Sequence, residues 1–162
     1  MNMFIRDIVT ADMDAVLHLN ESAVPNVNSI DLEAMRWLAR HADYCRVVEA
    51  GTDIVAFLIG LGPGLDYRSP NYRWFCQRYA NFAYIDRVAV AKAARRQGLA
   101  SGLYADLQCA VAATVPVMTC EVNLSPPNEA SMRFHRRLGF EQVGSQFTEA
   151  GAKQVALLAK PL

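Results

Sequence analysis

The residues best able to do chemistry lie where a strand-like run gives way to an amphipathic helix. The run covers residues 82–90, and residues 95–98 lead into residues 98–113, where apolar side chains recur every fourth position. The first N–H groups of a helix and its dipole attract anions, and small residues let a phosphate approach the backbone. Lys92, Arg95 and Arg96 add positive charge. This turn is therefore either a phosphate site or a plain helix start with a glycine N-cap.

Two acids in apolar strand-like runs are candidate general bases. Asp86 lies within residues 82–90 and Glu121 within residues 117–122. Burying a carboxylate without a partner is costly, so we expect each acid to have either a partner or a functional role. Asp86 is the first candidate for the base. The alternative is that Asp86 only forms an ion pair with Arg87, although neighbouring residues of a strand point to opposite faces. Glu121 is the second candidate.

Signatures of other enzyme classes are missing from the sequence. The three histidines do not have the spacing of a metal-binding HExxH motif, so no metal site is expected. The sequence holds neither a GxSxG elbow nor a Walker motif. Residues 60–64 resemble a dinucleotide fingerprint only loosely, because a proline interrupts them and no helix follows. A plain loop is the better interpretation of that stretch.

Composition restricts the partners that this chain can have. Its 162 residues are 52% hydrophobic and 20% charged, and sixteen basic side chains balance sixteen acidic ones. A neutral chain without a basic stripe is not typical of a nucleic-acid binder. No run approaches the roughly 18 apolar residues of a membrane span, and no apolar signal core follows the N-terminus. With four cysteines too far apart for a CxxC pair, we expect a reduced cytoplasmic protein without membrane or nucleic-acid partners.

Hydrophobic periodicity predicts one α/β domain over residues 1–162. The second half reads strand, helix, strand, which implies a crossover between parallel strands. The predicted strands are residues 3–9, 45–49, 54–61, 82–90, 117–122, 141–146 and 154–159, and the predicted helices are residues 10–21, a stretch from about 31, 98–113 and 128–138.

Two motifs in this chain resemble those of the GNAT superfamily of N-acetyltransferases. Residues 95–100, Arg-Arg-Gln-Gly-Leu-Ala, match the family's turn Q/R-x-x-G-x-G/A. Asn128, Glu129 and Ala130, followed by residues 134–140, Phe-His-Arg-Arg-Leu-Gly-Phe, match its second motif. The resemblance runs from about residue 84 to 144, while the N-terminal half agrees only in the order of its elements.

The resemblance implies a fold and a cosubstrate. The fold is a mixed sheet of about seven strands in the order strand, two helices, three strands, helix, strand, helix, two strands. Its parallel strands, residues 82–90 and 117–123, would splay apart around the pantetheine arm of acetyl-CoA. The implied contacts are the backbone of Val88, Ala89 and Val90 and the side chain of Asn128 for that arm, and the turn of Arg95, Arg96, Gln97, Gly98, Leu99, Ala100 and Ser101 for the pyrophosphate.

The resemblance also suggests catalytic roles, with one departure from the family pattern. His135 stands where the family commonly has a tyrosine that protonates the departing thiolate. An imidazole can replace that donor, or His135 can belong to a solvated helix flank beside three arginines. Tyr84 and Tyr104 are the alternative acids. Asp86, acting through water, would take the proton from the acceptor amine.

The acceptor is expected to meet an aromatic segment at residues 65–82, which is long, irregular in pattern and rich in arginine. Tyr72 and Trp74 are its candidate substrate contacts, with an arginine pairing to a substrate carboxylate. A homodimer contact is the alternative, because the same residue types are enriched in interfaces.

The expected activity is transfer of acetyl from acetyl-CoA to an amine of a small molecule or peptide by direct attack. Two alternatives remain from the sequence: an acyl-CoA-binding sensor without turnover, and a non-enzymatic dimer or assembly partner.

Overall fold

The computed structural model describes residues 2–162, which form seven strands and five α-helices. None of these helices has the length and apolar character that a membrane crossing requires. In chain order the elements are β1 (Met3–Asp7), α1 (Met13–Ser22), α2 (Leu32–His41), β2 (Tyr44–Ala50), β3 (Asp53–Leu61), α3 (Pro70–Cys76), β4 (Ala83–Val90), α4 (Leu99–Val111), β5 (Val117–Ser125), α5 (Glu129–Arg137), β6 (Glu141–Thr148) and β7 (Lys153–Pro161).

The strands form one mixed sheet in the order β1-β2-β3-β4-β5-β7-β6. Strands β4 and β5 are parallel, and their ladder pairs Ala83 with Met118 and Tyr84 with Thr119. The β1–β2, β2–β3, β5–β7 and β6–β7 pairs are antiparallel. The predicted mixed α/β fold with parallel central strands is confirmed.

Helix α3 lies inside the stretch that the sequence pattern predicted to be irregular. Ser69 begins it as the N-cap, accepting a hydrogen bond from the Tyr72 backbone N–H at 3.3 Å, and Pro70 occupies the first helical position. Tyr72 and Phe75, three residues apart, share the buried face. Seven residues make only two turns, which is too short for hydrophobic periodicity to reveal the helix.

The contacts divide the chain into two compact units, so the single domain expected from the sequence stays a prediction. The first unit extends to Leu61 and includes Ile85–Ala110. In it, Gly60 lies below α4, where a Cβ would be 3.5 Å from both Leu107 and Tyr44. The Tyr44 hydroxyl donates to the Asp106 carboxylate at 2.7 Å. These contacts hold α4 on the strands of the first unit.

The second unit consists of Gly62–Tyr84 and Val111–Leu162. Its core contains an aromatic cluster of Tyr72, Phe75, Phe82 and Tyr84, all fully buried. The Tyr72 ring meets the Phe82 and Tyr84 rings edge to face, with centroids 6.0 and 5.5 Å away. Such pairs favour one ring orientation, so the cluster fixes the side chain of Tyr84 at the start of β4.

Candidate active site

The turn before α4 has the backbone geometry of an anion site. Arg96 and Gly98 have φ angles of 65° and 78°, and the Gly98 carbonyl accepts the first helical hydrogen bond, from Gly102 N–H at 2.9 Å. The N–H groups of Leu99, Ala100 and Ser101, which lie between Gly98 and Gly102, therefore precede the helical hydrogen bonds and have no partner within the helix. Glycine adopts a positive φ without strain, whereas the same conformation strains the backbone of Arg96. Such strain concentrates at ligand-binding turns.

The same turn is exposed and cationic. Lys92 and residues 95–98 are all exposed, and a Cβ placed on Gly98 would meet no atom within 4 Å. The Arg95 side chain donates from Nε to the Val90 carbonyl at 3.3 Å. The end of β4 is held by a hydrogen bond from Ala91 N–H to the Val55 carbonyl at 2.7 Å. The structure thus brings the predicted pyrophosphate residues Arg95–Ser101 together at one open helix start.

The backbone of β4 just before this turn alternates in burial. Val88 and Val90 are half-buried, whereas Ala89 is buried. These three residues are the predicted partners of the pantetheine arm, and that role stays a prediction.

Asp86 is engaged in a buried ion pair. Its Oδ2 accepts from Arg87 Nε at 2.7 Å, and the two side chains are only 3% and 2% exposed. The long arginine stem allows this contact although neighbouring strand residues point to opposite faces. The ion-pair interpretation of Asp86 is therefore the one that the structure supports. Protonating this carboxylate would leave a buried guanidinium without its counter-ion, which argues against Asp86 as the base.

Tyr84 and Glu121, two separate candidates in the sequence, form a hydrogen-bonded pair in the structure. The Tyr84 hydroxyl donates to Glu121 Oε2 at 2.7 Å. Tyr84 is fully buried, and Glu121 is half-buried. The signal that could have found this pair is the parallel register: Tyr84 pairs with Thr119, and Glu121 lies two residues further along the same face of β5.

His135 is a buried residue of α5, so its interpretation as part of a solvated flank is wrong. It is 4% exposed, and its ring meets Phe134 and Phe140 edge to face. The His135 Nδ1 lies 2.8 Å from the Ser131 carbonyl oxygen, which can only accept, so Nδ1 carries the hydrogen. Burial lowers the pKa of His135. The neutral ring with its hydrogen on Nδ1 has no proton on Nε2 to donate, which weakens the predicted acid role.

Asn128 is the N-cap of α5. Its side-chain oxygen accepts from Ser131 N–H at 3.2 Å, and its own N–H donates to the Asn123 carbonyl at 3.0 Å. Capping explains an asparagine at this position without a ligand. Its predicted contact with the pantetheine arm stays a prediction.

The two predicted acceptor contacts pack within the second unit. Tyr72 is 1% exposed, and its hydroxyl donates to the Gly62 carbonyl at 2.7 Å and accepts from Leu65 N–H at 3.0 Å. Trp74 lies against β6, where a Cβ on Gly144 would be 2.5 Å from the indole. The Arg78 guanidinium lies over the Trp74 ring, 3.8 Å from its centroid. These contacts argue against Tyr72 touching an acceptor and make Trp74 primarily a packing residue.

Tyr104, the other alternative acid, is 3% exposed on α4. Within residues 2–162, no three His, Cys, Asp or Glu side chains lie together as a metal site would require.

Comparison with known proteins agrees with this geometry. A family model described as the acetyltransferase (GNAT) family matches residues 13–140, which is well over half of the chain. No curated protein sequence matches significantly.

Among solved structures, the chain is similar to the ribosomal-protein-S18-alanine N-acetyltransferase from Escherichia coli, with 19% identity, a TM-score of 0.76, and coverage of 99% of this chain and 94% of that one. It is similar to Arabidopsis thaliana NAA60 in complex with a bisubstrate analogue, with 15% identity, a TM-score of 0.77, and coverage of 99% and 98%. The NatC complex bound to Gag peptide and CoA gives 13% identity, a TM-score of 0.77, and coverage of 100% and 99%. The match to the family model, together with the two motifs, shows that this chain belongs to the acetyltransferase (GNAT) family.

Proposed function

We propose that this protein transfers the acetyl group of acetyl-CoA to the amino group of a peptide or protein. The observation that carries the proposal is the open cationic turn at the start of α4, in a chain of the GNAT family. A peptide acceptor is favoured because similar structures include a ribosomal-protein-alanine acetyltransferase and a complex bound to a peptide.

The residues at the turn fit a pyrophosphate. Gly98 leaves the space above the helix start open, and Arg95 and Arg96 supply charge at its rim. Backbone N–H groups at a helix start are suited to phosphate oxygens. Val88, Ala89, Val90 and Asn128 are proposed to hold the pantetheine arm, in accordance with the family pattern. When bound, acetyl-CoA supplies an acetyl thioester that an amine can attack without an acyl-enzyme intermediate.

Glu121 is proposed to prepare the amine for attack. A terminal amino group has a pKa of about 8, so near neutral pH much of it is an ammonium without a lone pair. The half-buried Glu121 carboxylate can take that proton, whereas Asp86 is committed to Arg87. The amine nitrogen then forms a bond to the thioester carbonyl carbon as the carbon–sulfur bond breaks.

Tyr84 is proposed to return a proton to the departing sulfur. In the resting pair the Tyr84 hydroxyl donates to Glu121. After Glu121 has taken a proton from the amine, its O–H can donate to Tyr84 Oη, and the phenol hydrogen is released toward the thiolate. One proton of the ammonium thus reaches the thiol through the two side chains, and the second proton leaves to solvent.

The test is product identification with the wild-type protein. Free thiol release is followed with acetyl-CoA and a panel of short peptides, free amino acids and polyamines, and the products are examined by mass spectrometry. The proposal predicts thiol release with peptides and one added acetyl group on the peptide amine. Acetyl-CoA binding without thiol release would contradict it and favour an acyl-CoA sensor. Absence of binding would favour an assembly partner.

A further inference from the structure

Thr119 on β5 carries a buried hydroxyl that the packing of the fold does not explain. The residue is 0% exposed, and within residues 2–162 its Oγ1 has no hydrogen-bond partner. Leaving a buried polar group without a partner costs free energy, so native structures rarely do it without a functional or structural reason. Valine has the same shape without the hydroxyl and suits a strand equally well. A threonine at this position therefore indicates a polar partner beyond the protein's own atoms.

The position of Thr119 in the sheet brings its hydroxyl close to the proposed reaction pair. Thr119 is paired with Tyr84 in the parallel ladder of β4 and β5. Within the part of the chain that the structure describes, this ladder ends at the Tyr84–Thr119 pair. Residues paired across a parallel ladder have their side chains on the same face, so the Thr119 hydroxyl lies on the face that carries Tyr84. Glu121, two residues further along β5, lies on that face as well.

The spacing between Thr119 and Glu121 suits a bridge by one water molecule. Two residues of a strand are about 6.6 Å apart, and the two side chains make no direct hydrogen bond. A water with two hydrogen bonds of about 2.8 Å joins oxygen atoms up to about 5.5 Å apart. That reach is comparable to the residue spacing, so one water can accept from the Thr119 hydroxyl and donate to the Glu121 carboxylate.

The elements around this position offer few other groups that could bind such a water. On β7 the residues in register with Thr119 and Glu121 are Ala159 and Leu157, whose side chains are apolar. Buried waters bind where polar groups converge, and here those groups are the threonine hydroxyl and the carboxylate. The titratable side chains on the elements around Glu121 are Tyr84 on β4, Cys120 on β5, Tyr72 on α3 and His135 on α5.

We propose that Thr119 is a positioning residue whose hydroxyl, through one buried water molecule, holds the Glu121 carboxylate in the orientation in which it accepts from Tyr84. The inference rests on the proposed function, because it takes Glu121 as the base and Tyr84 as its partner in the proton transfer. The water only forms hydrogen bonds, and no proton passes through it. When the Tyr84 hydrogen turns toward the departing sulfur, the water still holds Glu121 in place.

Three variants separate the hydroxyl of Thr119 from the shape of its side chain. Thr119→Val keeps the shape and removes the hydroxyl, whereas Thr119→Ser keeps the hydroxyl and removes a methyl group. Thr114→Val is the matched control, because Thr114 precedes β5 and its hydroxyl donates to the Val111 carbonyl at 3.2 Å. If Thr119 served packing alone, serine would be the worse substitution. The water bridge instead makes valine the worse substitution for catalysis.

The first measurement is the steady-state rate of acetyl transfer to a peptide and its pH dependence. We expect kcat to be roughly tenfold lower in Thr119→Val, about the effect of one hydrogen bond to a charged group, with an unchanged KM for acetyl-CoA. Thr119→Ser should recover most of the rate. A donor to a carboxylate favours the ionised form, so its loss should move the acidic limb of the kcat/KM profile to higher pH in Thr119→Val. Thr114→Val should change neither the rate nor the profile.

The second measurement detects the water without using activity. High-resolution crystal structures of wild type and Thr119→Val should show one ordered water within hydrogen-bond distance of Thr119 Oγ1 and the Glu121 carboxylate in the wild type, and none there in the variant. Chemical unfolding should find Thr119→Val no more stable than wild type, because the hydroxyl has a partner to lose. Removal of an unpaired buried hydroxyl would instead make the variant more stable.

The outcomes separate this inference from the proposed function. A wild-type rate and an unmoved pH profile in Thr119→Val would overturn the positioning role. A more stable Thr119→Val, or a wild-type crystal structure without the ordered water, would overturn the bridge. Failure of the wild-type protein to acetylate any peptide would overturn the proposed function and the positioning role with it, whereas the crystal structures and unfolding would still decide whether Thr119 and Glu121 share a water.

Discussion

Glu121 and Asp86 are both acids on central strands, and their different partners give them different chemistry. Asp86 neutralises a buried guanidinium, so its charge is part of the structure. Glu121 instead accepts from a phenol, which carries no charge and can accept a hydrogen bond in return. A carboxylate with such a partner can gain and lose a proton without leaving a buried charge unpaired. At the residue scale, these partners favour Glu121 over Asp86 as the proposed base.

His135 allows a prediction about stability and pH. Burial lowers its pKa below the ordinary value of 6.5. Between the folded and unfolded pKa values the unfolded chain binds more protons, so stability rises with pH there. The contribution of His135 is complete above pH 6.5 and is lost as the pH falls toward its folded pKa. Wild-type protein should therefore lose more stability than His135→Phe between about pH 7.5 and 5.5, by up to about 1.4 kcal/mol for each unit of pKa difference.

The measurement is chemical unfolding of both proteins at several pH values. Carboxylates with lowered pKa values, such as Asp12, titrate in both proteins and cancel in the comparison. Substituting the exposed His18 by asparagine serves as the control. Equal pH dependence in wild type and His135→Phe would show that the imidazole is not held in its neutral form.

At the scale of elements, α4 is held against strands β2 and β3. Tyr44 on β2 holds Asp106 on α4, and Gly60 on β3 lets the helix approach closely. The turn at Gly98 therefore leads into a helix that is packed on the strands of the first unit. Helix α3 is held similarly in the second unit, because Gly144 on β6 leaves the space that Trp74 fills.

Gly98 gives a prediction for the proposed anion site. Gly98→Asn and Gly98→Asp have side chains of the same size, and both residue types tolerate a positive φ better than most. Only aspartate adds a negative charge where the pyrophosphate is proposed to bind. We expect Gly98→Asp to bind acetyl-CoA at least roughly tenfold more weakly than Gly98→Asn, because like charges repel at close range. Titration calorimetry measures both affinities, and equal values would place the pyrophosphate elsewhere.

For the whole molecule, elements with strong patterns were predictable and pairings distant in sequence were not. The leucine repeat in α4 and the apolar run of β5 indicated their structure, and two motifs indicated the family. Helix α3 was missed because two turns carry too little periodicity. The Tyr84–Glu121 pair depends on the register of β4 and β5, two strands joined through α4. The contacts of Arg87 with Asn20 and Asn28 join residues that are 67 and 59 positions apart in the sequence. A single sequence without that register does not specify which acid has which partner.

The central claim, that this chain acetylates a peptide amine with Glu121 as the base, is tested most directly by single-turnover acetyl transfer in wild type and Glu121→Gln. Glutamine keeps the size and a hydrogen-bond acceptor for Tyr84 but cannot take the proton. The claim predicts a transfer rate lower by on the order of a hundredfold or more in Glu121→Gln, unchanged acetyl-CoA affinity, and partial recovery at higher pH as the amine loses its proton to solvent. A rate in Glu121→Gln within about threefold of wild type at neutral pH would contradict it.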